Sequence, residues 1–250
     1  MQGDMTVGSV YDWLDSWAHF DSAEEWDNSG LLAGSMDMPV KGVLVSLNIT
    51  PSVIRQATKL GAELIISHHP LIFNPITRLN SDEPPYQLAR YGMAAISAHT
   101  NLDKAQGGVN DNFASCLLLD DIHTADDGIC RIGTLKDQLM PNEFAEHIRR
   151  RLGIPKGGIL WTDGRRPIRT VTVCGGAGGD YINTAPETDA FVTGELHYHE
   201  WPINPVRTII AAGHYHTEII IVRNLVNKLA GAFPTLKVYA ADESCPYEFL

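Results

Sequence analysis

The sequence predicts an α/β protein built on a mainly parallel sheet, and three observations lead there. Short apolar runs such as GVLVSLN at 42–48 and AELIIS at 62–67 alternate with helical patterns, the rhythm of βαβ units. Helix start and stop signals sit between the runs: Thr50 and Pro51 open one helix and Gly61 closes it. At 250 residues and 44% hydrophobic content, the chain can bury one large domain or two small ones.

The elements follow in order. Residues 10–17 fit an amphipathic helix. The run at 42–48 is a buried strand. Thr50 is the N-cap and Pro51 the first position of a helix that ends near Gly61. The run at 62–67 is the next strand, with His68, His69 and Pro70 directly behind it. Residues 84–91 form a short helix. MAAISA at 93–98 is a third strand, and a loop from His99 to Asp103 follows. Gly107 and Gly108 open a helix through Leu117. The acidic, polar stretch 120–128 reads as a boundary linker. Beyond it, a strand at 130–135, a helix at 141–152 and strands at 159–162 and 169–174 suggest a second, smaller α/β domain over 129–190. Strands at 190–193 and 208–212, a helix at 217–229 and a last strand at 236–240 restore the earlier rhythm. These late strands are expected to rejoin the first sheet, which makes residues 1–128 plus 191–250 one discontinuous domain. Its crossovers are expected to be right-handed.

Composition excludes several classes. The formal charge of −11 opposes binding to the nucleic-acid backbone, which depends on Lys and Arg. The basic run from His147 to Arg151 reads as the charged end of a solvated helix. No stretch approaches the roughly 20 apolar residues of a membrane helix; the run at 219–222 stops at Arg223 and Asn224. The N-terminus carries Asp4 and no basic segment, so it does not read as a secretory signal, and a cytoplasmic location is the simplest expectation. Cys116, Cys130, Cys174 and Cys245 form no C-x-x-C pair, which argues against a cysteine-rich zinc site. Cys174 reads as a small buried hydrophobe.

The histidines cluster: His68 with His69, His197 with His199, His214 with His216. His68 and His69 follow one strand, Asp103 closes the loop after the next, and His214 follows a third, TIIAA with Gly213. Open α/β sheets bind ligands beyond the carboxyl ends of their strands. His214 and Glu218 are four apart and share a face if a helix begins at or before His214; a start at Thr217 leaves the loop to bring them together. A lone histidine is ordinarily a hydrogen-bonded core or surface residue, but five ligand-type residues at equivalent strand ends argue for a metal site. Nitrogen and oxygen donors without thiolate suit Zn, Mn, Fe, Ni or Co. The set His68, His69, Asp103, His214 and Glu218 exceeds the needs of one tetrahedral ion. It suits two divalent metal ions roughly 3.5–4 Å apart, bridged by carboxylate.

The residues resemble a known family, the GTP cyclohydrolase 1 type 2 homologues, also called Nif-three-like proteins. The resemblance covers nearly the whole chain. It runs through WDNSGL at 26–31, SHHPLIF at 67–73, AHTNLD at 98–103, CGGAGGD at 174–180, TGELHYHE at 193–200 and GHYHTE at 213–218. It implies a dinuclear metal centre on the same five residues. It further implies two interlinked three-layer α/β domains and a toroidal homohexamer with the metal sites facing an inner cavity. The inserted domain of longer members is missing, because the middle segment is too short. One departure is His197, where the family often carries a lysine; a neutral imidazole would steer an anionic substrate more weakly near pH 7.

Other features stay open between a chemical and a structural role. His99 is a candidate catalytic proton shuttle or second-layer partner, or else a residue that orders its loop. Asp27 and Asn28 are either near the site or turn-formers. The glycine run 175–179 lacks the P-loop ending and fits a tight turn or close packing, with phosphate contact as the other reading. Tyr198 and His199 are candidates for lining a cavity. His19, His123, His147 and His216 read as surface or packing residues.

Two classes of function are compatible. In the enzyme class, the resemblance implies hydroxide attack at C8 of the guanine ring of GTP with release of formate; a phosphoester or amide substrate fits the same site. In the other, the chain is a non-catalytic metal-binding or regulatory ring protein. Nucleic acid is a weaker third partner, opposed by the net charge.

Overall fold

The structure, a computed structural model, describes residues 5–203 and 205–248. Asp4, on which the reading of the N-terminus turns, lies outside the described residues. The chain divides into two compact units, Met1–Gln106 with Ile221–Ser244, and Gly107–Ile220 with Cys245–Leu250.

The first unit opens with helix α1 (Val7–Trp17), strands β1 (Gly30–Ala33) and β2 (Gly42–Ser46) and helix α2 (Pro51–Leu60). Strand β3 (Leu64–Ser67), helix α3 (Pro84–Tyr91), strand β4 (Ala94–Ser97) and the short helix α4 (Thr100–Lys104) follow. The second unit contains α5 (Val109–Cys116), β5 (Asp120–Thr124), β6 (Arg131–Leu139), α6 (Pro141–Arg151) and β7 (Leu160–Thr162). It continues with β8 (Ile168–Cys174), β9 (Ala190–Thr193), β10 (Thr208–Ala211) and α7 (His214–Glu218). Helix α8 (Ile220–Ala232) and strand β11 (Lys237–Ala240) return the chain to the first unit.

In the first unit the strand order is β1-β4-β3-β2-β11. All neighbours are parallel except β1 with β4. Every position of β2, β3 and β4 is buried, as a parallel strand covered on both faces requires. The local signals hold: Thr50 Oγ1 accepts from the amide of Val53, Pro51 opens α2, and Gly61 closes it with φ of 67°. A core of Leu44, Ile54, Ile65 and Leu88 joins α2 and α3 to the sheet. The segment expected to be a loop before Asp103 is helical, because α4 starts immediately behind β4.

The second sheet runs β5-β6-β8-β9-β10-β7 and is mixed. Strands β9 and β10 pair here, parallel to β8 and to each other. Of the late strands expected to rejoin the first sheet, β11 alone does so, beside β2. The expected division into 1–128 plus 191–250 and 129–190 therefore gives way to boundaries after Gln106 and Ile220. The reason is burial on both faces of this sheet. Val192 and Ile210 pack with Phe113, Phe144 and Ile148, while Phe191 and Ile209 pack with Cys130, Cys174 and Ile182. The stretch read as a linker at 120–128 contains strand β5, paired antiparallel with β6. Its polar composition suits an exposed sheet edge, where a strand needs backbone partners but no apolar face. No helix among the described residues is long and apolar enough to cross a membrane.

Candidate metal centre

Each unit presents its own group of ligand-type side chains. In the first, parallel register sets Ser46, Ser67 and Ser97 side by side, so β3 and β4 end level. Ser67 and Ser97 share a hydroxyl contact of 2.9 Å, and Ser67 Oγ donates to the His69 carbonyl at 2.8 Å. His68 and His69 emerge from that end. His68 is buried and its Nδ1 lies 2.9 Å from the Ala98 carbonyl. His69 Nδ1 lies 2.8 Å from Asn48 Oδ1. Asp103, on α4, is buried with Oδ1 3.7 Å from His68 Nε2.

His99 joins this group. Ligand-type nitrogens of His68, His69 and His99 lie within 4.8 Å of one another. The His99 ring is 5.1 Å from that of His68 and 5.6 Å from that of His69. Its Nδ1 lies 2.8 Å from Asp27 Oδ1. Asp27 also accepts from the Thr100 amide and hydroxyl and from Ser29 Oγ. Burial would raise the Asp27 pKa, but the hydrogen bonds from His99 and Thr100 outweigh it and hold the carboxyl well below its ordinary range. Asp27 thus orders the site's histidine as well as its own turn. The one sequence signal for it was the WDNSG motif.

In the second unit Gly213 takes φ of 85° behind β10, a value glycine adopts without strain. Helix α7 therefore begins at His214, and the four-residue spacing puts His214 and Glu218 on one face. His214 Nε2 and Glu218 Oε2 are 3.0 Å apart. His214 Nδ1 lies 3.0 Å from Glu195 Oε1, a partner to which sequence reasoning assigned no role. Burial opposes charging His214, but Glu218 and Glu195 prevail and lift its pKa to about 9. The expected single helix at 217–229 is instead two, α7 and α8.

The glycine run packs tightly. A Cβ on Gly176, whose φ is 62°, would stand 2.1 Å from Glu218 Oε1. Gly176 donates to Thr217 Oγ1, and its carbonyl accepts from Gly194. Of the other candidates, His197 is an exposed residue whose amide donates to Glu200, and its ring stacks on His199 at 5.6 Å. With Asp180, Glu195 and Glu200 it lines a cavity of about 280 Å³. His147 is structural: its Nε2 meets the Leu117 carbonyl at 2.8 Å.

One pattern unites four histidines. The Nδ1 atoms of His68, His69, His99 and His214 each face an oxygen: a carbonyl, an amide oxygen or a carboxylate. Those oxygens accept only, so the proton is assigned to each Nδ1, and Nε2 is the nitrogen that could hold a metal ion or take a proton. Metal-bound histidines are oriented in this way. With carboxylates at Asp103 and Glu218 and no thiolate, the donors fit a divalent transition metal.

A family profile described as Duf34/NIF3 (NGG1p interacting factor 3) matches residues 5–246. A Lactococcus lactis protein named GTP cyclohydrolase 1 type 2 homolog is 32% identical over 233 residues, covering 88% of this chain and 90% of its own. A Nostoc protein of the same name is 34% identical over 241 residues, covering 90% of this chain and 91% of its own. A Staphylococcus aureus hypothetical protein of known structure has a TM-score of 0.90 at 24% identity, covering 99% of this chain and 100% of its own. A Bacillus cereus protein related to NIF3 has a TM-score of 0.90 at 21% identity, covering 100% of both chains. At those identities the structural likeness speaks for the fold, which is the α/β architecture expected from the sequence.

Proposed function

The chain belongs to the Duf34/NIF3 family, and on that footing we propose that it is a metal-dependent hydrolase with a dinuclear centre. The ligands proposed for it are His68, His69, Asp103, His214 and Glu218, the set that the family resemblance implies. The observation that carries the reading is the shared orientation of the histidines, each with Nδ1 held by an oxygen acceptor. Bound divalent ions supply Lewis acidity and an acidified water at neutral pH.

The chain's own residues do the rest. Asn48, Glu195 and the Ala98 carbonyl orient the ligating imidazoles. His99, with its Nδ1 proton held by Asp27, can take up a proton at Nε2 during turnover and return it, the part of a general base and acid. The name shared by the relatives makes GTP the first substrate to try, with opening of the guanine ring and formate as product. The homohexamer and the cytoplasmic location belong to this same reading. Cys116, Cys130, Cys174 and Cys245 are all free thiols, which suits a reducing compartment.

The test pairs metal content, measured by mass spectrometry on protein purified without chelator, with formate release from GTP. Two ions per chain and formate production, both lost in Glu218→Ala, is the expected result. Two ions without formate would move the search to phosphoesters and amides, and to a non-catalytic metal-binding role if none turns over. No bound metal after reconstitution would overturn the proposal.

A further inference from the structure

We propose that Trp26 and Phe73 form a stacking platform that holds a planar heterocyclic ring of the substrate beside the cluster of His68, His69 and His99. The assignment of that ring to a substrate rests on the hydrolase reading.

Trp26 is 60% exposed and Phe73 50% exposed, although both are large aromatic residues. Their ring centroids are 5.9 Å apart, tilted by 47°. The Trp26 indole also meets His99 edge-on, with centroids 6.1 Å apart. Trp26 therefore borders the His99 imidazole directly, and Phe73 reaches the cluster through its contact with Trp26.

Both rings are anchored through their backbone neighbours. Asp27, next to Trp26, is tied to His99 and Thr100, and the amide of Glu24 donates to Thr100 Oγ1 at 2.9 Å. Asn28 Nδ2 donates to the carbonyl of Ile72, next to Phe73. The segment from Glu24 to Asn28 thus fastens the two aromatic residues to the rim of the histidine cluster. Rings exposed to water yet held by their flanks are prepared in advance for a ligand, which lowers the ordering cost of binding.

Aromatic faces recognise flat rings, and they do so with little regard to sequence or substituent because every base has a π-face. A planar heterocycle is the ligand that such faces, beside a set of imidazoles, would place for reaction. A protein partner seated on the same rings would cover the cluster, so a small molecule is the occupant proposed.

Equilibrium dialysis of guanosine, adenosine and ribose against the full, metal-reconstituted chain tests the platform. The variants are Trp26→Ala, Phe73→Ala and the conservative Trp26→Phe, with metal content and sedimentation measured on each. We expect both nucleosides to bind and ribose not to. Affinity should fall about tenfold or more in each alanine variant, while Trp26→Phe keeps most of it and metal content is unchanged in all. Nucleoside binding that survives in metal-free protein and still falls in Trp26→Ala would support the platform, while a failure to take up metal on reconstitution would remove the metal reading alone. Metal-loaded wild-type protein that binds neither nucleoside, or Trp26→Ala with unchanged affinity, would overturn the platform and leave the metal reading standing. A smaller sedimenting species in Trp26→Ala with unchanged nucleoside affinity would overturn it in favour of a contact between copies of the chain.

Discussion

Asp27 Oδ1 accepts a hydrogen bond from His99 Nδ1 at 2.8 Å, and the Asp27 side chain is fully buried beneath it. The same carboxylate receives the Thr100 amide and hydroxyl, so one acidic group orders both the imidazole and the start of α4. Replacing it with an amide gives Asp27→Asn, which cannot accept from all of these donors at once. Metal affinity or turnover should fall about 10–100-fold, the usual effect of losing a residue that orients a ligand group. Chelator competition measures the first and product release the second. Wild-type values for both would show that Asp27 is a turn residue alone.

Asp27 also predicts a pH dependence. Its folded pKa lies below the ordinary value of 3.8, so its contribution to stability is present above that value. It is lost as pH falls through the folded pKa. Urea unfolding of the wild-type protein should weaken from about pH 5 down to about pH 2, and Asp27→Asn should show a shallower fall over the same range. Parallel curves would assign the acid sensitivity to other carboxylates.

His214 works in the opposite direction. Its folded pKa is lifted from 6.5 to about 9, so the charged imidazole stabilises the metal-free protein below 6.5 and that stability is lost as pH rises through 9. A metal ion must displace the proton on Nε2, so binding at pH 7 should release a proton and tighten as pH increases. Calorimetric titration in two buffers of different ionisation enthalpy reads the proton directly. Identical heats in both buffers would refute it.

Gly176 carries a steric prediction. An alanine there would drive its Cβ to 2.1 Å from Glu218 Oε1 at a φ of 62°, so both the backbone and the carboxylate must move. The φ penalty alone is about 1–2 kcal/mol. Gly176→Ala should melt earlier and bind less metal. Gly128→Ala, at a φ of 77° with nothing within 4 Å of the added methyl, should pay the strain but keep its metal. Equal metal content in the two variants would mean that the close approach to Glu218 has no consequence for binding.

Much of this was legible in the sequence, for reasons that differ from residue to residue. Thr50, Pro51 and Gly61 announce α2 because caps act within a few residues. His68, His69 and Asp103 could be placed together because each follows a strand of one parallel sheet. Asp27 could not be placed with them, because it meets His99 across 72 residues and an aspartate before Asn-Ser-Gly has the look of an ordinary turn. Glu195 was hidden for the same reason: it meets His214 across 19 residues, and its motif carries no spacing rule. Strand β5 was missed because an edge strand can be mostly polar, and here Ile122 is the one apolar residue of DDIHT.

By itself, the sequence determined the type and position of most helices and strands, and the histidines and carboxylates available at strand ends. Those properties follow from local periodicity, capping and composition. Only the tertiary structure decided that β9 and β10 belong to the second sheet, that α7 begins at His214, and that the Nδ1 atoms of four imidazoles face oxygens. Each of these depends on which face a strand buries, or on which oxygen a ring nitrogen meets, and those contacts form between residues far apart along the chain.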